Sequence, residues 1–125
     1  MNLTAEQIES MPAGEEINRL VAEHFFHKSW QPAMALGGHD YSFELSDAWR
    51  ITEKRPQEKK RRWYFTISQN TNDGGSWDLL VYDICWDTFH GLEDGIRFVD
   101  MKSLPLALSR AALLIALTEA KEKKN

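Results

Sequence analysis

Ser103-Leu-Pro-Leu-Ala-Leu-Ser-Arg-Ala-Ala-Leu-Leu-Ile-Ala-Leu117 carries one charge, Arg110, in fifteen residues. At helical spacing its neighbours are Leu106, Ala107, Leu113 and Leu114. A helix apolar on nearly every face must be covered on nearly every face. The segment is therefore expected either at the centre of the fold or against a partner chain. A guanidinium in that setting needs an anion or several carbonyls, because burying it unpaired costs several kcal/mol, roughly. An internal carboxylate and a bound phosphate both satisfy the requirement.

The ends of this helix are legible as well. Ser103 is an N-cap and Pro105 falls in the first turn, where proline is tolerated. Lys121, Lys123 and Lys124 sit where the helix dipole favours cations. Upstream, Thr4-Ala-Glu-Gln7 is a capping-box pattern that opens a short helix, interrupted by Pro12 and Gly14. A second helix is predicted from about Ala13 to Phe26, with Ile17, Leu20, Val21 and His24 on one stripe. Pro32, Gly37 and Gly38 make Ser29 to Asp40 a loop. Ser42 is then read as the N-cap of a helix reaching about Lys54, with Leu45, Trp49 and Thr52 inward and Pro56 as its stop.

Between these helices the period changes to two. Arg62 to Gln69 alternates Trp63, Phe65, Ile67 with Tyr64, Thr66, Ser68. Asn70 to Gly75 is a turn, and Trp77 to Ile84 is the returning strand of an antiparallel hairpin. Cys85 to His90 could extend that strand, Gly91 to Gly95 turns the chain, and Ile96 to Val99 supplies a third strand. The second strand is apolar on both faces, which predicts cover on both sides of the sheet. The expected class is α+β: a single domain over residues 1–125, a three-layer α/β/α sandwich whose C-terminal helix packs on a small antiparallel sheet.

Composition narrows the function. A length of 125 residues supports one core, and a net charge of −4 argues against sequence-independent DNA or RNA binding. No apolar run is long enough to span a membrane and no secretory leader is legible, so a cytoplasmic protein is expected. The lone Cys85 fits a reducing compartment and lacks an evident base. His24 and His27 lie one turn apart without the further ligands of a zinc pattern, so neither metal nor cofactor is expected. Asp78, Asp83 and Asp87 read as solvated or paired carboxylates, and Asn72-Asp73-Gly74-Gly75 lacks the features of a phosphate loop. No acid–base pair is visible, so the chain is not expected to be an enzyme. The run Lys54-Arg55-Pro-Gln-Glu-Lys59-Lys60-Arg61-Arg62 reads either as a solvated linker or as an anion-binding rim. The adjoining Trp63, Tyr64 and Phe65 favour the rim, since guanidinium beside aromatic holds phosphates and stacks bases.

Three blocks carry a resemblance to a known family. Leu3 to Glu23, Tyr41-Ser-Phe-Glu-Leu-Ser-Asp-Ala-Trp49 and Leu104-Pro-Leu-Ala-Leu-Ser-Arg-Ala-Ala-Leu113 resemble, in order, the phage ABA sandwich domain proteins. The middle of the chain matches only in its strand pattern. The resemblance implies a phage- or prophage-encoded protein with α/β/α layers. Some phage proteins similar to this family counter the Thoeris defence by holding, uncleaved, a cyclic ADP-ribose isomer made by a TIR-domain enzyme. Related ones hold cyclic oligonucleotides in oligomers. On that analogy this chain is expected to sequester a small anionic cyclic nucleotide as a homodimer or larger oligomer, joined through the C-terminal helix or the sheet. Arg110, Arg61 and Arg62 would face phosphates, and Trp63, Trp77 or Trp86 would stack on the base. The alternative is a protein-interaction module that inhibits a host factor, with exposed tryptophans as anchors.

Overall fold

The structure, a computed structural model, describes residues 2–30, 39–53, 63–70, 75–83 and 96–123. The elements run α1 (Ala5–Glu9), α2 (Glu15–Leu20), a π turn (Val21–Phe25), α3 (Leu45–Glu53), β1 (Trp63–Asn70), β2 (Ser76–Asp83), β3 (Ile96–Met101) and α4 (Leu104–Lys123). The class is α+β, and α4 packs on the sheet.

Local signals explain most of the boundaries. The Thr4 hydroxyl accepts from the Gln7 N–H at 3.2 Å, and the Gln7 side chain accepts from the Thr4 N–H at 2.9 Å. That reciprocal pair starts α1. The Ser103 hydroxyl accepts from the Leu106 N–H at 3.3 Å and starts α4. The second helix begins at Glu15 and widens into the π turn at Val21. It ends on His27, whose φ of 56° lets the Lys28 N–H reach back to the Ala22 carbonyl at 2.9 Å.

The sheet is a three-stranded antiparallel meander in the order β1-β2-β3. β1 and β2 pair without a break from Trp63↔Asp83 to Asn70↔Ser76. β3 pairs Ile96 with Val81 and Phe98 with Leu79, then slips before Met101 meets Trp77. One face, carrying Phe65, Ile67, Leu79, Val81 and Phe98, is turned into the core. The outer face presents Tyr64, Thr66, Ser68, Arg97 and Val99 to solvent.

The layers differ in order from a helix–sheet–helix stack. α4 touches β2 and β3 on one side and α1, α2, the π turn and α3 on the other. The sequence is thus sheet, α4, remaining helices, and among the described residues the outer sheet face carries no helical layer. The apolar outer residue behind the expected second layer is Leu80. It stands half-buried between its strand partners Thr66 and Arg97 and needs no helix to cover it.

The core centres on α4. Ala107, Leu108, Ala111, Ala112, Leu113, Leu114 and Ile115 are all buried. The alanines let neighbouring backbones approach, and the larger side chains fill the space between. α3 supplies Ala48 and Ile51 to this core. Leu45 and Trp49, expected inward, are 45% and 43% exposed. Successive residues turn about 100°, so the Leu45–Trp49 stripe lies beside the Ala48–Ile51 stripe, and α4 covers only the latter.

Two buried serines have opposite energetic roles. Ser42 does not cap α3, which begins at Leu45. Its hydroxyl instead accepts the Gly14 N–H at 3.0 Å, at the N-cap of α2. Gly14 has φ 155° and ψ −169°, a conformation that side chains rarely adopt, so it offers no capping side chain of its own. Ser109, at 0% exposure in the middle of α4, has no hydrogen-bond partner for its hydroxyl among the described residues. Ser42→Ala is expected to cost about 1–3 kcal/mol, because it orphans a backbone donor. Ser109→Ala is expected to be neutral or stabilising by about 1 kcal/mol, since it removes an unsatisfied buried group. Urea unfolding of the two variants should move the midpoint in opposite directions or leave only Ser109→Ala unmoved.

Candidate functional site

The residues expected to form a nucleotide site do not converge. Arg61, Arg62 and Trp86 lie outside the described residues. Arg110 projects toward the loop between α1 and α2. Its Nε and Nη2 both donate to the Met11 carbonyl, at 2.9 and 2.7 Å. Pro12 follows and cannot offer an N–H, so this carbonyl sits at a break in helical bonding. Burial pulls the Arg110 pKa down from its ordinary value. No carboxylate is paired with it among the described residues. Its partner is thus a backbone carbonyl rather than an internal Asp or Glu.

Trp63 stands on the opposite side of α4. Its indole N–H donates to Glu119 at 2.8 Å. Glu119 is nine residues beyond Arg110, about 180° around the helix and ~13 Å along it. Trp77 packs against the core near the start of α4, paired with Gln69 and Met101. Trp63 is paired with Asp83, six residues along β2 from Trp77, so the two tryptophans mark opposite ends of the sheet, about 20 Å apart. One small ligand cannot meet Arg110, Trp63 and Trp77 together in this arrangement.

The structure assembles a different set of side chains around residues 39–50. The buried Asn18 accepts the Ser42 N–H at 2.9 Å and donates from Nδ2 to Asp40 at 2.8 Å. The Asp40 N–H donates to Asp47 Oδ2 at 2.9 Å, and the other Asp47 oxygen lies 3.1 Å from His39 Nδ1. Arg50 Nε approaches the same oxygen at 4.0 Å. Below them Tyr41 is buried, stacked on Phe26 at 5.1 Å between centroids, with His39 tilted on it at 5.5 Å. Burial is the main cause that pushes the Tyr41 pKa up; Arg50 opposes the rise and Asp47 adds to it.

This network fixes the approach to α3 against α2. The Glu44 N–H bonds the Asp40 carbonyl at 3.0 Å and the Ala48 N–H bonds the Glu44 carbonyl at 2.9 Å, so the turn leads directly into the helix. On that rigid support Phe43, Leu45 and Trp49 are 61%, 45% and 43% exposed. Among the described residues they are the large apolar side chains most open to solvent on the helical side of the molecule. Glu44 and Glu53 are exposed beside them. Between Asp40 and Glu53 there are four carboxylates and one guanidinium, Arg50.

Sequence reasoning found the Leu45–Trp49 stripe but placed it in the core. It missed Asn18, His39, Asp40 and Asp47, whose only signal was the density of short polar residues around Tyr41. Among the described residues no group of three or more ligating side chains could hold a metal ion. None of the helices described is long and apolar enough to cross a membrane. Compared with family models, curated proteins and solved structures, the chain matches none.

The geometry at Arg110 makes a direct prediction. Arg110→Ala removes two charge-assisted bonds to one carbonyl and should destabilise the fold by about 1.5–3 kcal/mol. Arg110→Lys should recover part of that loss, since an ammonium keeps the charge without the fork. Guanidinium denaturation of the three proteins checks the order. An Arg110→Ala protein as stable as the parent would show that the Met11 contact contributes nothing.

Proposed function

We propose that the chain is a non-catalytic binding module that docks a partner protein through the exposed stripe of α3. The observation that supports this reading is the stripe itself: Phe43, Leu45 and Trp49 are held on a stiff frame and left open to solvent. Aromatic anchors of this kind dominate interface energetics, and Trp and Tyr are enriched among them. The exposed Glu44 and Glu53 beside the stripe favour a partner whose apolar groove or patch carries lysine or arginine at its rim. The function of such a module is to inhibit or redirect the protein it covers.

Sequestration of a cyclic nucleotide is the second reading. It rests on the family resemblance and on the basic run that ends in Arg61 and Arg62, next to the aromatic start of β1. It does not draw on Arg110, whose fork is engaged by Met11.

The readings are separated by one set of measurements. A photo-crosslinking residue at position 45 should capture a single partner with a basic rim, and the purified pair should bind with a blue shift in tryptophan emission. Trp49→Ala should weaken that pair by tenfold or more, about 1.4 kcal/mol, without lowering the melting temperature by more than a few degrees. Binding unaffected by Trp49→Ala would end the α3 reading. Native mass spectrometry of the protein from cells with an active TIR enzyme tests the other reading. A retained intact nucleotide, lost on replacing Arg61 and Arg62, would establish sequestration in its place.

A further inference from the structure

We infer that residues 2–13 form a strap across one flank of α4, and that the Arg110 fork on the Met11 carbonyl is its latch. The strap opens as a unit while the rest of the domain stays folded. This device is separate from the α3 docking surface.

The strap satisfies its own polar groups. The Thr4–Gln7 box closes the N-terminal end of α1, and at the other end the Ser10 hydroxyl lies 3.0 and 3.3 Å from the Glu6 and Gln7 carbonyls, to which it donates. The Ile8, Ser10 and Met11 N–H groups bond to the Thr4, Glu6 and Ile8 carbonyls. Among the described residues, the bonds from Arg110 to Met11 are the only hydrogen bonds that join residues 2–13 to the remainder. α4 is the described element that α1 chiefly meets. Ile8 and Met11 are buried and Leu3 is partly buried, whereas Ala5, Glu6, Gln7, Glu9 and Ser10 are exposed. Lifting the strap therefore uncovers Ile8, Met11 and part of Leu3 and breaks one forked contact. A lone helix of five residues does not persist in water, so the lifted strap unwinds and water takes its backbone groups.

The chain beyond the strap is held more firmly, which places the pivot. Ser42 fixes the Gly14 N–H, and Asn18 is tied to Ser42 and Asp40. Pro12 and Ala13 make no hydrogen bond among the described residues, so rotation there breaks none. Segments joined to the body by few apolar contacts and few backbone bonds open at the lowest free energy.

The latch is weaker than an ion pair. No carboxylate is paired with Arg110 among the described residues, and its charge meets a neutral carbonyl. Burial disfavours that charge, and opening returns it to water, which offsets part of the lost bonding. Access to the flank of α4 around Arg110 thus depends on releasing one carbonyl.

Native-state hydrogen exchange and methionine oxidation of the full chain test the strap. The Ile8, Ser10 and Met11 amides should be protected and share one opening. That opening should be smaller in free energy, and shallower in urea dependence, than the opening of Ala111 to Ile115. Met11 is 8% exposed, so dilute hydrogen peroxide should oxidise its sulfur with the same shallow urea dependence. Arg110→Lys should raise both rates several-fold and Arg110→Ala at least tenfold, with the circular dichroism spectrum kept. Strap amides that exchange only with global unfolding, or that show no protection, would overturn the proposal in the parent protein alone. Strap exchange and Met11 oxidation left unchanged by both Arg110 variants would overturn the latch.

Discussion

Covering α4 on all sides is the constraint from which the remaining architecture follows. A helix with buried side chains from Leu104 to Ile115 in nearly every direction cannot rest on a sheet alone. The sheet takes one side. The N-terminal helices and α3 take the other, and they are short because each needs to cover only a part of α4. Arg110 is the one charge this arrangement must accommodate. It faces the gap between α1 and α2, where a carbonyl is left over at Met11, and the fork meets it there. The same contact ties residue 11 to residue 110, so the chain's first helix is locked onto its last.

Once α4 is covered, the Leu45–Trp49 stripe of α3 remains outside the core among the described residues. The polar network through Asn18, Asp40, Ser42 and Asp47 spends several hydrogen bonds on holding the start of α3 in place. A helix that presents Trp49 to a partner gains from it, because a preorganised surface loses less entropy on binding.

How much of this could be read from the chain follows from which residues act locally. The capping box at Thr4, the cap at Ser103, both hairpin strands and the third strand were legible to within a residue or two, since each depends on neighbours in sequence. The centrality of α4 was legible because lack of charge is a property of the segment itself. Ser42 misled: it has the chemistry of a helix cap but serves Gly14, twenty-eight residues away. Leu45 and Trp49 misled because periodicity reports an apolar arc without its cover, and α4 reaches only the Ala48–Ile51 side. The candidate site was the least legible. Arg110, Trp63 and Trp77 have the residue types of a nucleotide pocket, yet the fold sets them on different sides and ends of α4 and the sheet. The α+β class survives those errors because it depends on the count and order of elements, whereas a site depends on a few directions.

Native-state hydrogen exchange along α4 tests the central position of this helix most directly. If α4 is the element on which both layers depend, the amides from Ala111 to Ile115 can exchange only when the whole domain unfolds. Their opening free energy should then equal the global unfolding free energy measured by denaturant, and exceed that of the amides in α1 and β3. Exchange of these α4 amides through a smaller opening, with the β1–β2 hairpin still protected, would contradict the account and place the stable centre of the fold in the sheet.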